Sequence, residues 1–442
     1  MSLLDKVREA GVIGAGGAGF PTYVKLSSKA EYILLNAAEC EPLLRVDQQL
    51  MLMFPNEIIR GFKEAGNLVG AKKGIIGIKG KHKEVIAKLN ERIEALCLSD
   101  FIEVKELLDI YPAGDEQVLV YELTGRVVPE AGIPINVGCV VVNVETALNI
   151  YYASIDKPVT EKYITIAGDV PERLTVKVPI GTPIIDVLKL SGIDNFDDYS
   201  VIDGGPMMGA VLNNIDGYIT KKNKGFVILK KNHPLIRRKS TNIEQAKRVN
   251  KASCEQCRMC TDMCPRYLLG HNVQPHKMMR ALNYSLTDIE DVKIAQLCCQ
   301  CNLCELFSCP AGLYPKSANL YFKDKLLQEN IKYKPVNNEF SPRKSREYRL
   351  TPSKRLIARL GLHSFDKMAP VKEVDLMPEL VHIATRQHVG AAAIPIVSIG
   401  EHVSIGQKIG NIPDGSLGAS IHASISGTVE EVGKDFIVIR RD

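Results

Sequence analysis

CEQCRMCTDMCP, residues Cys254–Pro265, decides how the middle of this chain is read. Its cysteines follow the order C-x2-C-x2-C-x3-C-P, a spacing that suits 4Fe–4S cubes. Three cysteines two residues apart wrap one cube in a tight loop, with backbone N–H groups aimed at the sulfurs. The fourth, released by the proline, turns away toward a second cube. A second run, CCQCNLCELFSCP (Cys298–Pro310), repeats the pattern with one extra residue before its last cysteine. Crossed ligation therefore puts one cluster on Cys254, Cys257, Cys260 and Cys309. The other falls on Cys298, Cys301, Cys304 and Cys264. Cys299 is left over and reads as a buried thiol beside a cluster. Zinc is the competing reading, but structural zinc sites use C-x2-C pairs, not a triple run that ends in Cys-Pro and occurs twice.

Working outward, nine of the twelve cysteines fall between 254 and 309, which favours a metal site over a disulfide framework. Cys40, Cys97 and Cys139 lie far from these runs and are expected in core packing. A chain of 442 residues exceeds one ordinary core, so several domains are expected. The formal charge of +5 is small for that length and gives no argument for nucleic acid. The N-terminus mixes acidic and basic residues without a signal-type apolar run, and no apolar stretch reaches membrane-helix length. A cytoplasmic protein is expected, with no direct membrane insertion.

The expected architecture is multidomain α/β and α+β. Residues 1–158 alternate apolar runs (Tyr32–Asn36, Gly74–Ile78, Val137–Val144) with helix-like stretches (Asn56–Ala65, His82–Leu96), as a largely parallel Rossmann-like sheet would. Residues 159–218 read as a small β-rich unit, with strands Tyr163–Ala167 and Leu174–Pro179 and one helix, Pro183–Leu190. A basic linker at 219–245, the helical dicluster region at 246–335 and a second linker at 336–378 come next. Glycines at regular spacing over 379–442 suggest a compact barrel or sandwich.

Four ordered segments in the first domain carry a resemblance. They are GAGGAGFPT from Gly14, Asn36–Pro42 (NAAECEP), Tyr111–Glu116 (YPAGDE) and Val142–Thr146 (VNVET). Together they resemble the NADH-oxidising, FMN-bearing subunit of respiratory complex I and its soluble relatives. That resemblance implies one site for FMN with NADH over its ring. Gly14, Gly16, Gly17 and Gly19 would let backbone approach the flavin, and Phe20 would stack on the nicotinamide. Lys25, Asn36, Gly114, Asp115, Asn143 and Thr146 would hold the flavin, and Glu41 and Glu116 the NADH side. Ala15 and Ala38 stand where that family carries Arg and Asp.

Asp203–Gly209 (DGGPMMG) resembles the recurring stretch of the soluble-ligand-binding β-grasp (SLBB) module, which is expected to act as packing. Residues 381–442, through matches at 387–390, 403–410 and 422–429, resemble the barrel-sandwich hybrid module of RnfC, the NADH-binding component of the Rnf electron-transport complex. The turn Pro413–Ser416 offers no lysine for a covalent biotin or lipoyl group. The order of flavin domain, β-grasp, ferredoxin-like dicluster and barrel-sandwich, with CPRYLLGH (264–271) and CELFSCP (304–310), is similar to the cobalamin reductases of propanediol-utilisation microcompartments. That family implies an NADH-dependent oxidoreductase passing electrons through FMN and two 4Fe–4S clusters to cobalamin. An adenosyltransferase and microcompartment shell proteins would be its partners. Two other readings stay open on the sequence: an RnfC-like subunit of a multi-protein NADH:ferredoxin or quinone complex, and a non-enzymatic redox sensor.

Overall fold

The computed structural model describes residues 1–285, 289–335 and 339–442. Its first sheet has four parallel strands, in the order Ile102–Leu107, Lys73–Lys79, Tyr32–Ala37, Cys139–Asn143. The inner strands read as near-continuous apolar runs because helices cover both faces. Ile33, Leu34, Leu35, Ile76 and Ile78 are fully buried. On one face, helix Pro55–Val69 packs on helix Val144–Ser154 at Gly61, where a Cβ would stand 2.0 Å from the Ala147 carbonyl oxygen. Asn36 and Asn143 face each other in register at the carboxyl ends of neighbouring strands, where open α/β sheets form their ligand crevice.

The β-grasp unit is larger than the sequence reading gave it. Its five-stranded sheet runs Leu174–Pro179, Glu161–Gly168, Gly225–Lys230, Tyr199–Asp203, Ala210–Val211. The central strand, Gly225–Lys230, falls inside the expected linker 219–245. Lys221, Lys222, Lys224 and Lys231 disguise it, yet Phe226, Val227, Ile228 and Leu229 are fully buried between its two neighbours. The module therefore extends to Lys230, and helices Pro234–Lys239 and Ile243–Ser253 fill the rest of that stretch.

This unit is joined to the first domain by a buried ion pair, Lys162–Glu145, whose side chains are 2% and 3% exposed. Removing one partner leaves a buried, uncompensated charge. Lys162→Met is therefore expected to lower unfolding free energy by about 3–5 kcal/mol, measured by denaturant titration. The double replacement Lys162→Met with Glu145→Leu should recover most of that loss.

In the dicluster region, helix Ile243–Ser253 delivers Cys254, and helices Pro275–Tyr284 and Pro315–Gln328 frame the two cysteine runs. The extra residue before Cys309 is taken up by a π-helical turn over Cys304–Ser308. A one-residue insertion widens a helix in this way without disturbing the residues beyond it. The second expected linker is also packed structure, although 336–338 lie outside the described residues. Thr351–Pro352 pairs antiparallel with Ile110–Tyr111, and helix Ser353–Arg359 buries Leu356 and Ile357. Its Lys, Arg, Pro and Ser content reflects the exposed side of a strap that crosses the first domain. Cys97, expected in a core, is exposed, because it ends helix Lys83–Ala95 in a left-handed turn at φ 56°.

The C-terminal module stacks a four-stranded sheet (Leu380–Ala384, Phe436–Arg441, Gly427–Val432, His402–Val403) on a three-stranded one (Ile394–Pro395, Lys408–Asn411, Ile421–His422). It docks on the other domains through Lys221. That residue's Nζ donates to the carbonyls of Gly11 at 2.7 Å and Ser420 at 3.0 Å. Beside it lie His388 and His422, both buried. His388 Nε2 accepts the Ala419 N–H at 2.9 Å, which requires a neutral ring. Burial, reinforced by the charge of Lys221, pushes His388 down to about 4 and His422 to about 3. The unfolded chain takes up these protons below pH ~6.5, whereas the folded chain does not until far lower. Their stabilisation is thus complete above pH ~6.5 and is lost as pH falls toward 4 and 3. Denaturant unfolding between pH 4 and 7 should show this slope, and His422→Gln should flatten it. Among the described residues, no helix is long and apolar enough to cross a membrane.

Candidate functional site

At the crevice end of the first sheet, a cavity of about 370 Å³ is walled by the first domain, the β-grasp unit and the second cysteine run. Its rim is the glycine loop. Helix Leu3–Glu9, closed by a Ser2–Asp5 capping box, leads into it. The loop is pinned by Gly14 N–H to the Phe20 carbonyl at 2.9 Å, and by Ala15 N–H to Thr146 Oγ1 at 3.0 Å. A Cβ on Gly16 would lie 2.2 Å from Asn143 Nδ2, whereas one on Gly17 would meet nothing within 4 Å. The loop thus fits tightly against Asn143 and offers bare backbone to the cavity. Gly19 has a left-handed φ of 72° and its carbonyl accepts Val389 N–H at 3.1 Å, so the C-terminal module braces the loop from outside.

Of the residues named from sequence, Gly14, Gly16, Gly17, Gly19, Phe20, Lys25, Asn36, Glu41, Gly114, Asp115, Glu116 and Asn143 line this one cavity. Thr146 does not; it clamps the loop from behind. Lys25 Nζ bridges Glu116 Oε1 at 3.0 Å and the Val141 carbonyl at 2.9 Å. Asn36 Nδ2 donates to the Gly114 carbonyl at 2.9 Å. Asp115 caps helix Glu116–Thr124 through Gln117 and Val118 N–H. Ala15 and Ala38 are buried and are not among the lining residues.

Glu41 is turned from the open cavity toward the β-grasp unit. Its carboxylate accepts the N–H groups of Met207 and Met208, each at 2.9 Å. Burial holds this carboxyl above its ordinary range, although both N–H groups oppose the shift. Gly205 is needed there, since a Cβ would stand 2.0 Å from Glu41 Oε2.

The sequence reading missed a buried group in the same wall: Lys224 Nζ lies 3.0 Å from Glu39 and 2.7 Å from Asp47. Burial, with the neighbouring Asp47 anion, raises Glu39. Glu39 lies within a quoted motif, but only the fold brings it to a lysine of the next module. Cys40 packs against a hydrophobic cluster with Leu43, Leu44 and Tyr111, as expected, and also lines the cavity; burial pushes its thiol up to about 12.

The cysteines form two groups. Cys254, Cys257, Cys260 and Cys309 surround one cavity of about 260 Å³, with Cys257 exposed. Cys264, Cys298, Cys299, Cys301 and Cys304 line a second, tighter one of about 20 Å³. No set of three His, Cys, Asp or Glu among the described residues is arranged to hold a single metal ion. Sets of thiols around a hollow are instead the donor chemistry of an iron–sulfur cluster. The bare glycine backbone, the volume of the cavity beside it and that cavity's mixed polar wall fit a flavin. Cys301 belongs to both the flavin-type cavity and the second thiol group.

Comparison with known proteins matches three parts of the chain. Residues 7–152 match the Nuo51 FMN-binding domain, 253–314 a 4Fe–4S dicluster domain and 362–440 the RnfC barrel sandwich hybrid domain. The chain shares its fold with an NAD+-reducing NiFe hydrogenase in the H2-reduced state. The TM-score is 0.50 at 20% identity, covering 75% of this chain and 63% of that one. It is 34% identical over 60% of its length to a subunit of the Na+-translocating ferredoxin:NAD+ oxidoreductase complex of Acetobacterium woodii, of which 58% is covered. It is 43% identical to the cobalamin reductase PduS of Salmonella typhimurium, over 99% of this chain and 96% of that one. The same identity to PduS of Citrobacter freundii covers 100% and 96%. This multidomain oxidoreductase belongs to the PduS family of cobalamin reductases.

Proposed function

We propose that the chain takes electrons from NADH at an FMN site and releases them singly, through two 4Fe–4S clusters, to a corrinoid. One cluster is held by Cys264, Cys298, Cys301 and Cys304, the other by Cys254, Cys257, Cys260 and Cys309. The observation that carries this reading is the shared wall at Cys301, which leaves the first of these clusters against the flavin cavity. Bound FMN supplies the exchange between a two-electron hydride and single electrons.

The chain's own residues do the positioning. Gly16 and Gly17 admit the flavin to bare backbone, and Asn36, Lys25 and Asn143 orient it. Phe20, 37% exposed at the rim, covers the nicotinamide, with Glu116 beside it. Glu41, tied to Met207 and Met208, closes the wall against water. Tyr111 fixes the Cys301 carbonyl through its hydroxyl at 2.6 Å, so the cluster edge is held at a set place. Exposed Cys257 marks the outlet where the acceptor docks. The PduS relatives, named cobalamin reductases, support cobalamin as that acceptor; on this reading it feeds an adenosyltransferase that rebuilds the coenzyme, with microcompartment shell proteins as neighbours.

Anaerobic stopped-flow of the reconstituted protein with NADH and hydroxocobalamin tests this. Flavin bleaching, then cluster bleaching, then cob(II)alamin formation is the expected sequence, with about eight irons per chain for two cubes. Rapid reduction of ferredoxin or a quinone with an inert corrinoid would overturn the acceptor and favour the RnfC-like alternative.

A further inference from the structure

Arg266 follows the Cys264-Pro265 turn, and its guanidinium reaches from the dicluster region into the flavin domain. It donates to Asp115 Oδ2 at 2.8 Å, and the two side chains are 13% and 10% exposed. The other oxygen of Asp115, Oδ1, is taken by the N–H groups of Gln117 and Val118, each at 3.1 Å. The acid is therefore fixed as a helix cap and holds the guanidinium in one place. Asp115 lines the flavin-type cavity, while Cys264 and Pro265 line the second thiol cavity. Arg266 spans the partition between them. The thiols of Cys299 and Cys301 are within its electrostatic reach, and its Nε is buried without a hydrogen-bond partner.

We infer that Arg266 is a positioning residue for electron transfer, whose buried positive charge makes the cluster on Cys264, Cys298, Cys301 and Cys304 the acceptor of electrons leaving the flavin cavity. The inference rests on the ligand sets proposed above. One electron, supplied by NADH through the flavin, adds one negative charge to a cluster already carrying four thiolates. No bond forms or breaks. In a site shielded from water, a fixed cation at short range lowers the cost of that added charge far more than a surface lysine would. Asp115 partly offsets the cation, so the pair sets the charge felt by the cluster and does not merely fasten two domains.

The test uses full-length protein reconstituted anaerobically, assayed for iron and then titrated reductively under low-temperature EPR. Arg266→Met is expected to keep its iron and lower the midpoint of one cluster only. The equilibrium constant for electron arrival should fall about tenfold, ~59 mV for a one-electron couple. Arg266→Lys, which keeps the charge, should restore most of the wild-type value. Asp115→Asn, which removes the offsetting anion, should move the same midpoint upward. Unchanged midpoints in an iron-replete Arg266→Met protein would overturn the inference. If that variant does not fold, an unmoved midpoint in Asp115→Asn overturns it instead. Wild-type protein that takes up no cluster would defeat the ligand reading, a distinct result.

Discussion

Cys309→Ser is expected to halve the bound iron and stop corrinoid reduction while NADH still reduces the flavin. Cys309 belongs to the second run by sequence but shares its cavity with Cys254, Cys257 and Cys260 of the first. Leu313 N–H points at its sulfur at 3.3 Å, the kind of backbone donor that a ligating thiolate uses. The π-turn over Cys304–Ser308 absorbs the additional residue and brings Cys309 to the cavity that it shares with Cys254, Cys257 and Cys260. Loss of an outer hydrogen-bonding partner of a metal ligand typically costs 10–100-fold, so loss of the ligand should exceed about 100-fold in corrinoid turnover. A small dye that takes electrons directly from the flavin should still turn over with NADH. Iron counting and the two assays on one preparation decide the matter. Full iron and normal corrinoid turnover in Cys309→Ser would remove it from the ligand set.

Gly16→Ala should cost the protein its flavin. The added methyl would stand 2.2 Å from Nδ2, 2.5 Å from Cγ and 2.6 Å from Oδ1 of Asn143. All three are atoms of one side chain, so Asn143 must swing aside, and the space open to it is the cavity. The expected weakening of FMN binding is about 100-fold, ~2.8 kcal/mol, read by quenching of flavin fluorescence. Gly17→Ala is the control: nothing lies within 4 Å of its Cβ, so the loop keeps its shape and the loss should be much smaller. Melting temperatures of both variants, measured without added flavin beside flavin-free wild type, should stay close to it, since Gly16 and Gly17 need no left-handed backbone. Equal FMN affinity in Gly16→Ala and wild type would place the flavin elsewhere.

What was legible in the sequence was local. The cysteines come at fixed short spacings and the glycine loop is one continuous segment, and each lines a cavity in the fold. The parallel sheet could be read because its inner strands are apolar on both faces. Strand Ile102–Leu107 was not singled out, because IEVKEL carries charge along an edge position. Gly225–Lys230 was lost among lysines whose charged ends leave the sheet while the backbone between them stays at its centre. The Glu39–Asp47–Lys224 group and the Arg266–Asp115 pair could not be seen at all. Their members lie on different modules, and only tertiary packing brings them together. The same cause hid that Cys40, packed on a core cluster, also faces the cavity.

The short ladder between Thr351–Pro352 and Ile110–Tyr111 bears on how the protein is made. A ribosome delivers the glycine loop first and Cys301 much later. The strap that holds Tyr111 in place, and through it the Cys301 carbonyl, emerges later still. The nucleotide pocket therefore cannot finish closing until the cluster-bearing segment has been synthesised.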